Sequence, residues 1–232
     1  MAIYVMSDIH GEYEKYLQML EKIRFSEDDE LYILGDVIDR GERPIDLLRD
    51  MASRSNVYPI VGNHELMAIE VLKSILKEVT DSSVDEFDSD VMIGLLEWME
   101  NGGDTTMKQL KKLPNHERLD IFDYLNEFSH CEVLDVGDKT FILVHSTLGN
   151  FSPEKKLSDY YLHELTEMRA DYEKQLFADN DIFIVSGHTP TQLLSGKAEI
   201  YRSHNNIDID CGAAFGGRLA CLRLDDMTEF YV

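Results

Sequence analysis

The 232-residue chain is short of basic side chains, with 22 lysines and arginines against 45 aspartates and glutamates. Its formal net charge of −23 disfavours stable binding to nucleic acid or to anionic membranes, because both need basic protein surfaces. We therefore expect neither as a partner. Residues 81–90 are rich in acidic side chains and are predicted to form a solvated surface loop. A docking surface for basic phosphopeptides is the alternative interpretation of this stretch.

Cysteine is scarce too. The three cysteines, Cys131, Cys211 and Cys221, form no CxxC pair, and their odd number argues against a disulfide framework.

No apolar run approaches the roughly 20 residues of a membrane span. The chain opens almost directly into a short apolar run that ends near Asp8, so no cleavable signal peptide fits, and the cytoplasm is the expected location.

The order of apolar segments predicts an α/β protein. Its length and its hydrophobic content of 44% suit one domain, residues 1–232, with a substantial core. Strand-like and helix-like segments alternate up to about residue 62, which implies a parallel sheet with helices on its faces. Residues 65–126 are predicted to be mostly helical, and we interpret them as a cap over the site. A helical stretch is predicted for residues 158–177, and the last four strands are predicted to form a meander.

Polar side chains follow five apolar runs that are predicted to be buried strands, residues 3–6, 31–34, 57–61, 141–144 and 182–185. These side chains are Asp8, His10, Asp36, Asn63, His145 and His188. Each segment alone could be a turn or a helix cap, so the prediction depends on their joint occurrence. Strand ends of an α/β sheet gather ligands, and oxygen and imidazole donors suit divalent cations. The pattern therefore predicts a hydrolase with two metal ions.

These segments resemble the signature of the phosphoprotein phosphatase branch of the calcineurin-like metallophosphoesterases. The likeness is greatest to the compact bacterial and phage enzymes of lambda-phosphatase type. It extends to Trp98, to residues 101–104 and to residues 209–219, although the family favours threonine where Cys211 stands. The resemblance implies the metallophosphoesterase fold, with central β-sheets flanked by helices and a helical cap insertion.

The resemblance also implies a role for each residue of the site. Asp8, His10 and Asp36 would hold one ion, and Asp36 would bridge to a second ion held by Asn63, His145 and His188. Manganese is the expected metal, with iron and Zn²⁺ as alternatives. A hydroxide bridging the ions would attack phosphorus directly.

Four further residues match the family motif beside the metal ligands. His64 would act as general acid and Asp39 would orient it. Arg40 and Arg169 would bind the phosphate, since arginine suits phosphate oxygens better than lysine. The match of Arg169 is the weaker one, because Met168 stands where the motif usually has an aromatic residue.

Three functions compete for this site. The main prediction is a metal-dependent phosphomonoesterase that acts on phosphoserine and phosphothreonine in proteins. The alternative is a dinucleoside polyphosphate hydrolase with the same motif order, acting on a phosphorylated small molecule. Such a substrate would need extra basic groups and an aromatic stacking platform, and few basic candidates are evident. An inactive scaffold is disfavoured, because every predicted ligand, Asp39 and His64 are present. The oligomeric state stays open.

Overall fold

The computed structural model describes residues 1–76 and 89–232. Within these ranges the strands are β1 (Ile3–Met6), β2 (Glu30–Ile33), β3 (Val57–Pro59), β4 (Cys131–Val136), β5 (Lys139–Val144), β6 (Ile182–Ser186), β7 (Tyr201–Ser203), β8 (Asn206–Asp208), β9 (Ala220–Arg223) and β10 (Thr228–Tyr231). The α-helices are α1 (Tyr13–Ile23), α2 (Pro44–Ala52), α3 (Asn63–Ile75), α4 (Ser89–Trp98), α5 (Asp104–Leu110), α6 (Asn115–Asn126), α7 (Leu162–Thr166) and α8 (Thr191–Ser195).

The strands form two five-stranded sheets. The first has the order β10-β9-β1-β2-β3, in which β1, β2 and β3 run parallel. The second has the order β4-β5-β6-β8-β7, in which β5, β6 and β8 run parallel. The predicted α/β class with central sheets and flanking helices is confirmed.

The two sheets pack face to face through a shared apolar cluster. Successive side chains of a strand point to opposite faces, so each strand can also contribute to a second layer. Val5 of β1 and Leu34, which directly follows β2, pack with Leu143 and Val185 of the second sheet. The other face of the first sheet carries Met6, which packs against the helices. The core therefore has a sheet-to-sheet layer and a sheet-to-helix layer, and both are apolar.

Two parts of the predicted topology are wrong. The last four strands do not form a meander, because β7 and β8 pair in the second sheet while β9 and β10 pair in the first. The single helix predicted for residues 158–177 is replaced by a 3-10 helix (Leu157–Asp159) and the short α7. Carbonyl groups of this segment accept tertiary hydrogen bonds instead, for example Tyr172 O from Ser203 Oγ at 2.5 Å.

The insertion predicted for residues 65–126 is mostly helical in the part that the structure describes, with turn and irregular backbone at residues 111–114. It comprises α3 to α6, with a π-helix (Met99–Gly103) between α4 and α5. Most of the predicted acidic loop lies in residues 77–88, outside the described residues, whereas Ser89 and Asp90 begin α4. In the described ranges, no helix combines the length and the apolar character that a bilayer crossing demands.

Candidate metal centre

The predicted site residues lie in the loops that follow the parallel strands of both sheets. Asp8 follows β1, Asp36 follows β2, and Asn63 opens α3 after β3. His145 directly follows β5, and His188 comes two residues after β6. The sheets present these ends at a common edge, so that the backbone N–H of His188 donates to Oδ2 of Asp8 at 2.9 Å.

The backbone at this edge adopts a conformation that ordinary residues avoid. Ten non-glycine residues of the described chain have a positive φ. Six of them are predicted site residues, namely Asp8, His10, Asp36, Asp39, Arg40 and His188. Such angles cost free energy and persist where the surrounding structure enforces them, typically at functional sites. Gly187 is required here for a different reason, because a Cβ atom would collide with Ser7 and Asp8.

Two groups of potential ligands share the carboxylate of Asp36. One group is His10, Asp36 and His64, and the other is Asp36, His145 and His188, with ligand atoms inside each group within 4.8 Å of one another. The Oδ2 atom of Asp36 lies 3.6 Å from His10 Nε2, whereas Oδ1 lies 3.5 Å from His145 Nε2. The two oxygens of one carboxylate thus face the two groups, which is the geometry expected of a bridging ligand.

Asn63 and Asp8 extend these two groups. Oδ1 of Asn63 lies 3.0 Å from both His145 Nε2 and His188 Nδ1. Oδ1 of Asp8 lies 3.9 Å from His10 Nε2. Atoms that bind one ion at roughly 2.1 Å are separated by about 3.0–3.4 Å, so the Asn63 spacing matches a shared ion and the Asp8 spacing is slightly wider.

Backbone carbonyls fix the orientation of two histidine rings. Nδ1 of His10 donates to the carbonyl of Ile38 at 2.9 Å, and Nδ1 of His145 donates to that of Leu34 at 2.6 Å. The Nε2 atoms are therefore left unprotonated and point into the site, as metal ligation by imidazole requires. The donor set fits two divalent cations of the transition-metal type.

The four histidines differ in their electrostatic surroundings. Burial lowers the pKa of His10 to about 3 and that of His188 to about 4, and it also lowers the pKa of His145. Burial acts in the same direction on His64, but Asp36 and Asp39 outweigh it and raise the pKa of His64. The three predicted ligands are thus neutral near pH 7, while His64 is the histidine that gains a proton most readily.

Among the buried carboxylates of the site, Asp8, Asp36 and Asp210 influence one another directly. Burial, Asp210 and Asp36 raise the pKa of Asp8 well above its ordinary value, and burial raises that of Asp210 to about 7. Burial also acts to raise the pKa of Asp36, but the surrounding histidines, His145 first, lower it below its ordinary value. Bound cations would offset this concentration of negative charge, which is a second reason that the residues fit metal ions.

His64 and Asp39 form a fully buried pair that the helical insertion holds. Nδ1 of His64 donates to Asp39 Oδ2 at 2.7 Å. The same oxygen accepts the indole N–H of Trp98 at 2.8 Å, and Asp39 Oδ1 accepts the hydroxyl of Thr106 at 2.6 Å. Trp98 was part of the sequence resemblance but received no role, and Thr106 was missed, because only the folded insertion brings them to Asp39.

Glu65 is another residue whose role the sequence analysis missed. Its buried carboxylate accepts the backbone N–H groups of Asp36 at 2.8 Å, Val37 at 2.9 Å and Gly62 at 2.9 Å. It therefore ties the loop after β2 to the start of α3, and burial raises its pKa to about 7. The Gly62-Asn63-His64-Glu65 sequence could have predicted the contact with Gly62, because a glutamate three residues after a helix cap often accepts the backbone N–H of the cap.

The two predicted phosphate-binding arginines interact with different histidines of the site. Arg40 donates from Nη2 to His64 Nε2 at 2.9 Å and from Nη1 to His10 Nε2. Arg169 is exposed, and its charge adds to the burial and the His145 charge that lower the pKa of His188. Arg40 therefore lies next to the first group of potential metal ligands, and Arg169 influences the second group electrostatically.

The chain is similar in sequence to known proteins. A family model for calcineurin-like phosphoesterases matches residues 1–211. A protein of Actinobacillus pleuropneumoniae serotype 3, named bis(5'-nucleosyl)-tetraphosphatase, symmetrical, is 27% identical over 271 aligned positions, which cover 99% of this chain and 98% of that protein. A protein of Haemophilus ducreyi with the same name is 33% identical over 102 residues, only 43% of this chain and 38% of that protein.

Similar folds occur among solved structures. A candidate diadenosine tetraphosphatase has a TM-score of 0.67 at 17% identity, with 99% of this chain and 92% of that chain covered. A protein serine/threonine phosphatase from Saccharomyces cerevisiae has a TM-score of 0.58 at 13% identity, with 100% of this chain and 79% of that chain covered. At these identities the similarity concerns the fold alone.

Proposed function

Because this chain belongs to the calcineurin-like phosphoesterase family, we propose that it is a metal-dependent hydrolase that cleaves dinucleoside polyphosphates. The observation that carries the proposal is the Asp36 carboxylate, whose oxygens face two groups of potential metal ligands. The substrate class is supported by the A. pleuropneumoniae relative, which is similar over nearly the whole of both chains. This function was the alternative prediction from the sequence, and the similarity to the named tetraphosphatases favours it over the main prediction of a protein phosphatase.

The proposed ligands form two sets that share one residue. The first set is Asp8, His10 and Asp36, and the second is Asp36, Asn63, His145 and His188. Two divalent ions bound there would offset the charge of the phosphate oxygens and acidify water for attack on phosphorus. We keep Mn²⁺ as the proposed metal, with iron and Zn²⁺ as alternatives that the same donors accommodate.

Arg40 has two tasks in the proposed reaction. Its guanidinium would donate two N–H groups to the phosphate that reacts, which is the geometry arginine provides best. In the structure, Arg40 donates a hydrogen bond to Nε2 of His64, the atom that would carry the proton for the leaving oxygen. A proton and Arg40 compete for that atom. Movement of Arg40 to the phosphate therefore frees His64 to act as an acid.

The His64–Asp39 pair favours a second candidate activity, the hydrolysis of phosphoserine and phosphothreonine. A serine alkoxide is a strong base and leaves only when it is protonated, whereas a nucleoside diphosphate leaves readily without a proton. The 2.7 Å contact and the raised pKa of His64 provide such an acid. This candidate therefore keeps the same site and the same metal ligands, and it differs in the substrate.

The decisive experiment compares diadenosine tetraphosphate with a phosphoserine peptide in Mn²⁺ buffer. We expect kcat/KM for the dinucleotide to be larger by about a hundredfold or more, with two molecules of ADP as products. The reverse preference would establish the second candidate. Failure to turn over either substrate, with two Mn²⁺ ions bound per chain, would contradict both.

Arg40→Ala tests the proposed phosphate contact. Loss of a charge-assisted bidentate contact should raise KM for the dinucleotide by about 10- to 100-fold. The matched control is Arg202→Ala, because Arg202 pairs with Glu229 on the surface of β7 and should leave KM unchanged. An unchanged KM with a normal rate in Arg40→Ala would exclude Arg40 from phosphate binding.

A further inference from the structure

Phe215 is an exposed aromatic side chain beside the candidate metal centre. Its exposed fraction is 62%, although a phenyl ring has no polar atom to hydrate. Among the described residues, the other exposed large aromatics are Tyr58 and Tyr161, which both carry a hydroxyl. The guanidinium carbon of Arg40 lies 4.8 Å from the centroid of the Phe215 ring. An apolar ring is thus held in water next to the arginine proposed to bind phosphate.

The loop that carries Phe215 is fixed by hydrogen bonds. Phe215 ends a 3-10 turn (Ala213–Phe215), and its N–H donates to the carbonyl of Gly212 at 2.9 Å. The ammonium group of Lys15 in α1 donates to the carbonyl of Ala213 at 2.6 Å. Gly212 has φ = 68°, a value that glycine adopts without strain. The ring is therefore presented from a defined loop, which reduces the entropy lost when a ligand packs against it.

Arg40 covers one face of the ring, so the exposed area belongs to the opposite face and to the ring edge. We propose that the nucleobase of a nucleotide substrate stacks on this exposed face of Phe215. The inference depends on the proposed function and identifies a specificity-determining residue for it. A base stacked there and a phosphate bound to Arg40 belong to neighbouring parts of one nucleotide.

The chemistry of the substrate supports this assignment. A dinucleoside polyphosphate carries an aromatic base at each end of a charged chain, and every base has a face that can stack on an aromatic side chain. The alternative is that Phe215 only packs against the guanidinium and keeps Arg40 in place, as cation–π contacts do. The two possibilities differ for a substrate that has phosphates and no base.

The test compares diadenosine tetraphosphate with inorganic tripolyphosphate, which has phosphoanhydride bonds but no base. The measured quantity is the ratio of kcat/KM for the dinucleotide to kcat/KM for tripolyphosphate. Phe215→Ala should lower this ratio by about 5- to 150-fold, the range of base–aromatic stacking. Phe215→Tyr should keep the ratio close to that of the unchanged protein, because it retains the ring. Equal losses on both substrates in Phe215→Ala would show that the ring only positions Arg40 and would overturn the proposal.

Tyr161→Ala is the matched control. It removes an aromatic ring that is 72% exposed and lies just before α7 rather than beside Arg40. The ratio should not change in this variant. A decrease equal to that of Phe215→Ala would mean that the loss of any surface aromatic lowers the ratio, and the assignment of Phe215 would fail.

A binding measurement separates this inference from the proposed function. The Phe215→Trp variant places an indole at the surface, whereas the native Trp98 is fully buried. ADP should quench the fluorescence of the variant, and pyrophosphate should not, because only ADP carries a base. Quenching without turnover of the dinucleotide would reject the proposed reaction and retain the stacking site. Turnover without quenching by ADP would retain the reaction and reject the stacking site.

Discussion

Asp36 belongs to both groups of potential metal ligands, because each of its carboxylate oxygens faces one group. Asp36→Asn keeps the shape of the side chain but removes its charge and one oxygen donor. We expect it to bind fewer than two Mn²⁺ ions per chain and to lose about a thousandfold or more in kcat. Elemental analysis after dialysis against Mn²⁺ measures the first effect, and hydrolysis of diadenosine tetraphosphate measures the second.

Asp135→Asn is the control for this prediction. Asp135 is an exposed residue of β4 whose carboxylate accepts the hydroxyl of Thr140 at 2.7 Å. This variant should bind two ions and retain the rate. Two tightly bound ions in Asp36→Asn would show that the carboxylate does not bridge.

His64 allows a second prediction, based on the leaving group. His64→Asn should reduce the rate on a phosphoserine peptide by about 10²–10⁴-fold, the usual contribution of a general acid. The loss on p-nitrophenyl phosphate should be much smaller, since its leaving group scarcely needs a proton. The exposed His116 of α6 provides the control variant His116→Asn, which should leave both rates intact. Equal losses on the two substrates in His64→Asn would speak against an acid at this position.

The residues of the site differ in how far the sequence could predict them. Asp8, Asp36 and Asn63 follow apolar runs that the structure shows as parallel strands of one sheet, so strand ends alone place them together. Trp98 lies 59 residues from the carboxylate that it contacts, and Thr106 lies 67 residues from the same carboxylate. No local pattern predicts such a contact, because it depends on how the insertion packs on the first sheet.

At the scale of elements, the helical insertion supports the site through hydrogen bonds. Trp98 ends α4 and Thr106 belongs to α5, and each donates to a different oxygen of Asp39. The π-helix between them brings the carbonyl of Gly102 to the N–H of Arg40 at 3.0 Å. The insertion thus holds both Asp39, which accepts the ring N–H of His64, and the backbone of Arg40, the proposed phosphate-binding arginine.

Thr106→Val tests this support. The change keeps the side-chain volume but leaves Asp39 Oδ1 and the Asp39 N–H without the hydroxyl, which should cost about 1–3 kcal/mol of unfolding free energy. We expect kcat on a phosphoserine peptide to fall about tenfold with little change in KM, and a smaller loss on p-nitrophenyl phosphate. Urea unfolding and steady-state kinetics measure the two effects.

Thr105→Val is the adjacent control, because the Thr105 hydroxyl donates to Gly102 O at 3.2 Å and not to Asp39. It should leave the dependence on the leaving group unchanged. Equal losses on both substrates in Thr106→Val would indicate a general loss of structure instead of a misplaced acid.

The elements that the sequence mispredicted share a cause. The sequence predicted the strands β7 to β10 but not the sheets to which they belong. The assignment of β9 depends on its pairing with β1, which lies near the start of the chain. In place of the helix predicted for residues 158–177, the structure has a 3-10 helix and α7. Tyr172, beyond α7, forms hydrogen bonds with Ser203 and Asp208, which are distant in sequence. Strand and helix propensity are local, whereas these outcomes depend on partners that are distant in sequence.

At the scale of the whole molecule, the formal net charge of −23 opposes a substrate that is itself a polyanion. The Debye length falls from about 30 Å at 0.01 M salt to about 10 Å at 0.1 M, so added salt screens this repulsion more than it screens contacts inside the site. We therefore predict that kcat/KM for diadenosine tetraphosphate rises with NaCl over this range at constant Mn²⁺. The rise should be smaller for p-nitrophenyl phosphate, which carries fewer charges. A decrease for the dinucleotide would show that Arg40, Arg169 and the bound cations, rather than the acidic surface, dominate the field that the substrate meets.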